Sequence, residues 1–427
     1  MSGSQAKEWF MCGVRQTKKP FNPDAVRKDF PALNQCDADG RSIVWLDSSA
    51  TTQKPQCVID ALVDFYAHYN ANVHRSYYEW GQRATKMYEG VRGRLAAFIG
   101  ASCPEEIVFT CGATEGLNAL AEIIGQRYLQ PGDEVIVSEL EHHANQIPWQ
   151  MQQKKRGIRI KGWTLDENGC PDPKKLDALL TKKTKLLSVS HLSNVLGLVP
   201  PIKKIVARAH ANGTLVVIDA AQALAHVPIN VKDLDCDFLV GSSHKAYGPG
   251  GAGFFYGKRT LLEDLPPHHG GGTMMETVTI DSFTPADVPF RFEAGTPPVA
   301  DIIGFGAALD YMRQFDWKDL LAQEDAVVEY AEKTLSSLPF VHLVGNPPQR
   351  TAVVSFLVDG LHSHDVAGLV CDKNIALRAG YHCCQPLMRR LNCPSGVVRA
   401  SFGMYNTCED VNRLAEALEY AVKVFEK

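Results

Sequence analysis

The stretch Asp237-Phe-Leu-Val-Gly-Ser-Ser-His-Lys-Ala-Tyr-Gly-Pro-Gly-Gly-Ala-Gly-Phe-Phe-Tyr256 decides the fold. Its apolar run, Phe238 to Val240, reads as a buried strand that stops at Gly241. Ser242, Ser243, His244 and Lys245 follow at once. A turn, Gly248-Pro-Gly-Gly251, leads to a second apolar run, Phe254 to Tyr256. A lysine between a buried strand and a tight turn is badly placed for a solvated role. Burial disfavours its charge and leaves the amine nucleophilic near neutral pH, as a Schiff-base lysine requires. An ordinary loop lysine beside an edge strand fits the same residues, so the choice rests on the rest of the chain.

Working outward, the chain from residue 106 alternates strands and helices. Strands are expected at Ile107–Phe109, Glu134–Val137, Leu186–Val189, Leu215–Ile218 and Phe238–Val240, with helices such as Glu115–Tyr128 and Lys203–Ala211 between them. This alternation predicts an α/β fold, a mainly parallel sheet with helices on both faces. Each strand runs into a polar cluster: Thr110–Glu115, Ser138–Asn145, Ser190–Asn194, Asp219–Gln222 and Ser242–Lys245. Ligands of open parallel sheets bind outside the carboxyl ends of the strands, so the five clusters predict one shared site.

Before this region, Asp24 is expected to cap a short helix through Val26 and Phe30. Ser42–Leu46 reads as a strand ending in the polar turn Asp47–Thr52. Pro55 starts a helix with Val58, Leu62, Phe65 and Tyr69 on one face. Another takes Ala84, Met87, Val91, Leu95 and Phe98 inward. After it, Pro266–Thr273 and Phe290–Pro298 read as loops, and a long helix runs from about Val299 to Phe315. The C-terminal portion reads as α+β, with a helix through Val328, Ala331, Leu335 and Leu338, a strand at Val353–Leu357 and a helix from His364 to Cys371. Thr407 and Asp410 form a capping box before a helix expected to bury Val411, Leu414, Leu418 and Phe425.

Composition narrows the function. The chain has 427 residues, 45% hydrophobic and 22% charged, the profile of a soluble globular protein with two or three domains. Its net charge of −4 offers no basic excess for nucleic acid or an anionic membrane surface. No apolar run approaches the roughly 20 residues of a membrane helix. The 12 cysteines show no CxxC pair and no metal-ligand spacing, so no metal is expected. Residues 1–20 read as a mobile polar tail without a signal sequence, and the expected setting is the cytoplasm, with free thiols.

Phosphate suits the helix N-terminus at Gly112-Ala-Thr-Glu115. Asp219, closing a strand, suits a cationic ring nitrogen. His142 suits stacking on an aromatic ring, and Asn194 and Gln222 suit its substituents. With Lys245, these groups describe pyridoxal 5′-phosphate. A nucleotide is the competing ligand, but neither GxxxxGK[ST] nor a helix-opening GxGxxG is present. A second constellation is Leu377-Arg-Ala-Gly-Tyr-His-Cys-Cys-Gln-Pro386. Arg378 suits a carboxylate, and a cysteine beside His and Arg suits a nucleophile. A structural role for Cys383 also fits, and either Cys383 or Cys384 could supply the thiol.

These motifs resemble the group II cysteine desulfurases, of the SUF and CSD type, within the fold-type I pyridoxal-phosphate enzymes. The resemblance covers nearly all of Phe21 to Phe425. It rests on Leu46-Asp-Ser, Asn72-Val-His-Arg75, Ala113-Thr-Glu-Gly116, Glu141-His-His-Ala-Asn145, Ser193-Asn-Val-Leu-Gly197, Ser242-Ser-His-Lys245, Gly270-Gly-Gly272, Phe292-Glu-Ala-Gly-Thr-Pro297 and Arg378-Ala-Gly-Tyr-His-Cys383. It implies an aminotransferase-like fold with a mainly parallel seven-stranded sheet and a smaller α+β domain. The implied division is a segment 21–45 packing with the small domain, a cofactor domain 46–297 and a small domain 298–427 carrying the nucleophile loop. Lys245 matches the Schiff-base lysine, His142 the ring-stacking histidine, Asp219 the partner of the ring nitrogen and Gln222 a ligand of the ring oxygen. Thr114, Ser242 and His244 match phosphate ligands, and Thr296 matches a residue reaching the phosphate of a neighbouring subunit. Asn194, Arg378, His74 and Arg75 are carried over as substrate-binding groups, and Cys383 as the nucleophile. The implied activity converts L-cysteine to L-alanine in a homodimer and passes sulfur to an acceptor protein for iron–sulfur assembly or a related pathway. Selenocysteine lyase and other fold-type I aminotransferases or hydrolases are the alternatives. Ala113, Ser49 and Cys384 depart from the family pattern, where threonine, alanine and alanine are usual.

Overall fold

The computed structural model describes residues 18–166 and 168–425. Most of the tail expected over residues 1–20 falls outside them. Lys19 donates its N–H to Gln314 O at 2.7 Å.

Seven strands form the central sheet: β1 (Ile107–Thr110), β2 (Glu134–Ser138), β3 (Arg159–Trp163), β4 (Thr184–Ser190), β5 (Leu215–Asp219), β6 (Phe238–Ser242) and β7 (Gly253–Gly257). Their order is β1-β7-β6-β5-β4-β2-β3. β3, β2, β4, β5 and β6 pair in parallel, and β7 runs against both its neighbours, β6 and β1. Successive strand residues point to opposite faces. Ile107, Ile136, Leu187, Val216, Ile218 and Leu239 join one cluster, which includes residues of the helices Gln56–His68, Glu79–Ile99 and Ile202–Ala211. Val108, Val135, Val137, Leu186, Val217 and Val240 join the other, with the helices Ala113–Tyr128 and Ile147–Arg156. Burial on both faces explains why these strands read as continuous apolar runs. Residues 159–163 were not among the expected strands, because β3 is an edge strand whose residues are mostly exposed or half-buried.

Four antiparallel strands form a second sheet: β8 (Val341–Leu343), β9 (Val353–Val358), β10 (Arg378–Gly380) and β11 (Val397–Ser401), in the order β8-β9-β11-β10. Helices Trp317–Ser337, Ser363–Cys371 and Cys408–Phe425 share its core.

Several local expectations need correction. Asn22, not Asp24, caps the first helix, accepting Ala25 N–H at 3.1 Å, because Pro23 occupies the first helical turn. In the last helix Val411, Leu414 and Leu418 are buried, but Phe425 at its end is exposed. Val299–Arg313, expected in the small domain, packs Ile302, Phe305 and Leu309 into the cluster of the central sheet. The segment 21–45 is divided: Val26, Phe30 and Leu33 join that same cluster, while Val44 joins the core of the second sheet and its strand pairs with Ile375–Ala376.

Candidate active site

The five polar clusters line one cavity of about 550 Å³ at the carboxyl edge of the sheet. After β1 come Gly112, Thr114 and Glu115; after β2, His142; after β4, Ser190 and Asn194; after β5, Asp219 and Gln222; after β6, Ser242, His244 and Lys245. Every predicted cofactor ligand except Thr296 therefore faces the same space. Thr296, His74, Arg75, Arg378 and Cys383 are outside the cavity lining. Thr296 is exposed and meets Asn72 Nδ2 at 3.5 Å, His74 Nε2 pairs with Glu89 at 2.8 Å, and Arg75 is exposed.

Lys245 ends a short 3₁₀ turn, Ser243–Lys245, directly after β6. Desolvation depresses its pKa, against the opposing pull of the Asp219 carboxylate. The residue before it is clamped: His244 O accepts the Thr52 N–H at 3.0 Å, both Thr51 and Thr52 hydroxyls at 3.1 Å, and Lys54 Nζ at 3.0 Å. Asp219 is buried, with Oδ1 accepting Ala221 N–H at 2.9 Å. Burial raises its pKa, and that hydrogen bond and the Lys245 charge act the other way. His142 Nδ1 accepts Ala144 N–H at 3.0 Å, which places its ring proton on Nε2. Burial, then the Lys245 charge, lowers its pKa to about 4, so the ring is neutral at pH 7.

The sequence motif around His142 contains Glu141 but gave it no role. Glu141 is fully buried and accepts from Ser138, Ser190 and Asn145, while burial pushes its carboxyl up to about 7. Arg399 on β11 was also missed as a site residue. Its buried guanidinium donates to Asn194 O at 3.1 Å and Asp47 Oδ1 at 3.2 Å, while Nε has no partner among the described residues. Arg399 acts electrostatically on both His142 and Lys245. Its sequence signal was an arginine within the apolar run Val397-Val-Arg-Ala, where a buried cation needs a partner. Arg378, half-exposed, is already held by Asp47, with Nη2 to Oδ2 at 2.7 Å and Nε at 3.0 Å.

Cys383 sits in a tight turn. Cys384 N–H donates to Tyr381 O at 2.9 Å, and the two residues between, His382 and Cys383, have φ of 48° and 54°. Two positive φ values describe a type I′ turn, which glycine and asparagine favour, so non-glycine residues need outside support there. Asn194 Nδ2 supplies some of it by donating to His382 O at 2.8 Å. Cys383 is exposed, whereas Cys384 is buried, with its thiol donating to Asn194 Oδ1 at 3.1 Å. Burial pushes the Cys384 pKa up to about 12. Both thiols bear electrostatically on Lys245, so turn and amine share one side of the sheet.

Residues 44–414 match the family model for aminotransferase class-V. The chain belongs to the class-V aminotransferase family. This class-V chain is 42% identical over 405 residues to the cysteine desulfurase of Serratia proteamaculans, covering 95% of itself and 99% of that protein. It is 41% identical over 411 residues to a probable cysteine desulfurase of Streptomyces coelicolor, covering 95% and 98%. Among solved structures, the cysteine desulfurase CsdA of Escherichia coli matches with a TM-score of 0.88 at 39% identity, covering 95% of this chain and 100% of that one. The cysteine desulfurase of Thermococcus onnurineus matches with a TM-score of 0.90 at 35% identity, over the same shares.

Pyridoxal 5′-phosphate is the cofactor of this class. The cavity fits it on three counts: a desolvated amine, a buried carboxylate that no cation among the described residues hydrogen-bonds, and a helix N-terminus facing the same space. Close packing of β7 on the turn at that N-terminus requires a small residue, since a Cβ on Gly253 would come within 2.5 Å of Gly112 Cα.

Proposed function

We propose that this class-V chain is a pyridoxal-phosphate-dependent cysteine desulfurase, converting L-cysteine to L-alanine and retaining the sulfur on Cys383. The observation that carries this reading is the pairing of the Lys245–Asp219 cavity with an exposed thiol on the same side of the sheet. The family and the names of its relatives support the activity.

When bound, the cofactor supplies an electron sink for charge developing on the substrate Cα. Its phosphate would be held by Thr114, Ser242, His244 and the N-terminus of helix Ala113–Tyr128, its ring by His142 and Gln222, and its ring nitrogen by Asp219. Lys245 Nζ, its pKa depressed by desolvation, moves the Cα proton. Arg399, with its unpartnered Nε, holds the substrate carboxylate together with Asn194. Arg378 borders that site through Asp47.

Cys383 Sγ forms the new S–S bond to the substrate sulfur as the substrate C–S bond breaks. The carbon takes a proton, so enzyme thiol plus cysteine gives enzyme persulfide plus alanine without an outside oxidant. The persulfide then passes to a thiol-bearing acceptor. A homodimer in the cytoplasm completes the reading. Thr296, His74 and Arg75 would then serve the partner's site, and Tyr77, Tyr78 and Trp80, which follow Arg75 in the chain and are exposed, suit a second copy.

The test replaces Cys383 with alanine. The variant is expected to keep the yellow bound cofactor and lose release of alanine from L-cysteine. Wild-type turnover in that variant would refute the assignment.

A further inference from the structure

His143, which neither the sequence reading nor the proposed chemistry uses, joins the cofactor cavity to the nucleophile turn. It directly follows His142 in the chain. Its backbone N–H donates to Cys383 O at 2.7 Å. Its ring Nε2 accepts Gln385 N–H at 3.2 Å. One residue of the large domain thus holds the chain at the nucleophile and again two residues beyond it.

The second contact meets a specific need. Gln385 opens the short helix Gln385–Arg390, and Cys384 at its N-cap provides no side-chain hydrogen bond. The first N–H groups of a helix have no partner within it. The His143 ring therefore does from another domain what an N-cap side chain usually does locally. The turn before this helix carries two non-glycine residues at positive φ, a conformation they keep only when the surroundings over-determine it. Nε2 can accept from Gln385 only in the neutral ring, and burial lowers the His143 pKa, which keeps the acceptor available at neutral pH.

We infer that His143 is a positioning residue for Cys383: its imidazole fixes the start of helix Gln385–Arg390 and so holds the nucleophile turn beside the cofactor cavity, which His142 and Ala144 line. This rests on the reading of Cys383 as the nucleophile, but one arm of the test is independent of it.

The holoenzyme is compared as wild type, His143→Leu and His143→Gln. Leucine fills the space without an acceptor, whereas the glutamine amide oxygen offers one. Carbamidomethylation of Cys383 is followed by peptide mass spectrometry, with the exposed Cys371 as internal reference. In His143→Leu, labelling of Cys383 relative to Cys371 is expected to rise about threefold as the turn is released, the scale of one lost hydrogen bond. For alanine release, kcat is expected to fall about fivefold with KM within about twofold of wild type. The cofactor absorbance stays unchanged, and His143→Gln recovers most of both effects. Labelling and kcat within twofold of wild type in His143→Leu would overturn the inference. So would a His143→Gln variant no better than leucine, since bulk rather than the acceptor would then matter. Altered labelling in His143→Leu alongside full activity in Cys383→Ala would leave the latch standing and remove the nucleophile reading instead.

Discussion

The sheet edge and the turn at Cys383 are built in opposite ways. At the sheet edge Lys245, Asp219 and His142 are withdrawn from water, and their pKa values move toward the neutral forms. In the turn Cys383 is left exposed, and its backbone rather than its solvation is unusual. Proton transfer at carbon needs a neutral amine and a dry cavity. A sulfur carrier must be reachable by whatever takes the sulfur away. Next to it, Cys384 shows what the thiol would lose by burial, with its pKa pushed up to about 12.

The sharpest way to break this contrast is at the buried end. Lys245→Ala is expected to lower alanine release about a thousandfold or more, while the exposed Cys383 keeps its wild-type alkylation rate. Loss of that thiol reactivity as well would mean that the two regions are not separable. At the boundary between them, Arg399→Lys keeps the charge but not the planar fork. It should raise KM for L-cysteine about tenfold with a smaller change in kcat. An unchanged KM would return the carboxylate to Arg378.

Acid titration sharpens the contrast further. Burial lowers His142, His191 and His244 to about 4 and His382 to about 3. A depressed pKa means stability present above the unfolded value near 6.5 and lost as pH falls through the folded one. Glu141 and Asp219, raised by burial, act in the opposite sense over acid pH. The histidines outnumber them, so the urea midpoint should fall between pH 7 and 5. His191→Gln should make that fall shallower, and an unaltered slope would show that His191 does not titrate with unfolding. The smallest effect is expected at Cys384, whose weak thiol hydrogen bond supports Asn194. Cys384→Ala should keep kcat/KM for L-cysteine within about threefold of wild type. A collapse comparable to that of Cys383→Ala would shift the nucleophile role toward Cys384.

Much of the sheet was legible because five strands buried on both faces write themselves as apolar runs ending in polar clusters. β3 was not, because an edge strand with exposed residues lacks that mark. The helix Val299–Arg313 was recognised, but its membership was misjudged. It follows a Pro-Pro break that reads as a domain boundary, and almost all of its faces are buried, so no polar stripe shows which way it turns.

The sequence alone placed the candidate groups at the strand ends. Asp219 closes its strand, and Gly112, Lys245 and His142 follow theirs by no more than four residues, and strand ends of a parallel sheet converge whatever the loops do. Only the tertiary structure decided which buried arginine keeps an unpartnered nitrogen, which thiol is exposed and what holds the turn at Cys383. Those outcomes depend on contacts between residues hundreds of positions apart, such as Arg399 with Asp47 and His143 with Gln385. Local pattern carries no trace of a partner that only folding brings near.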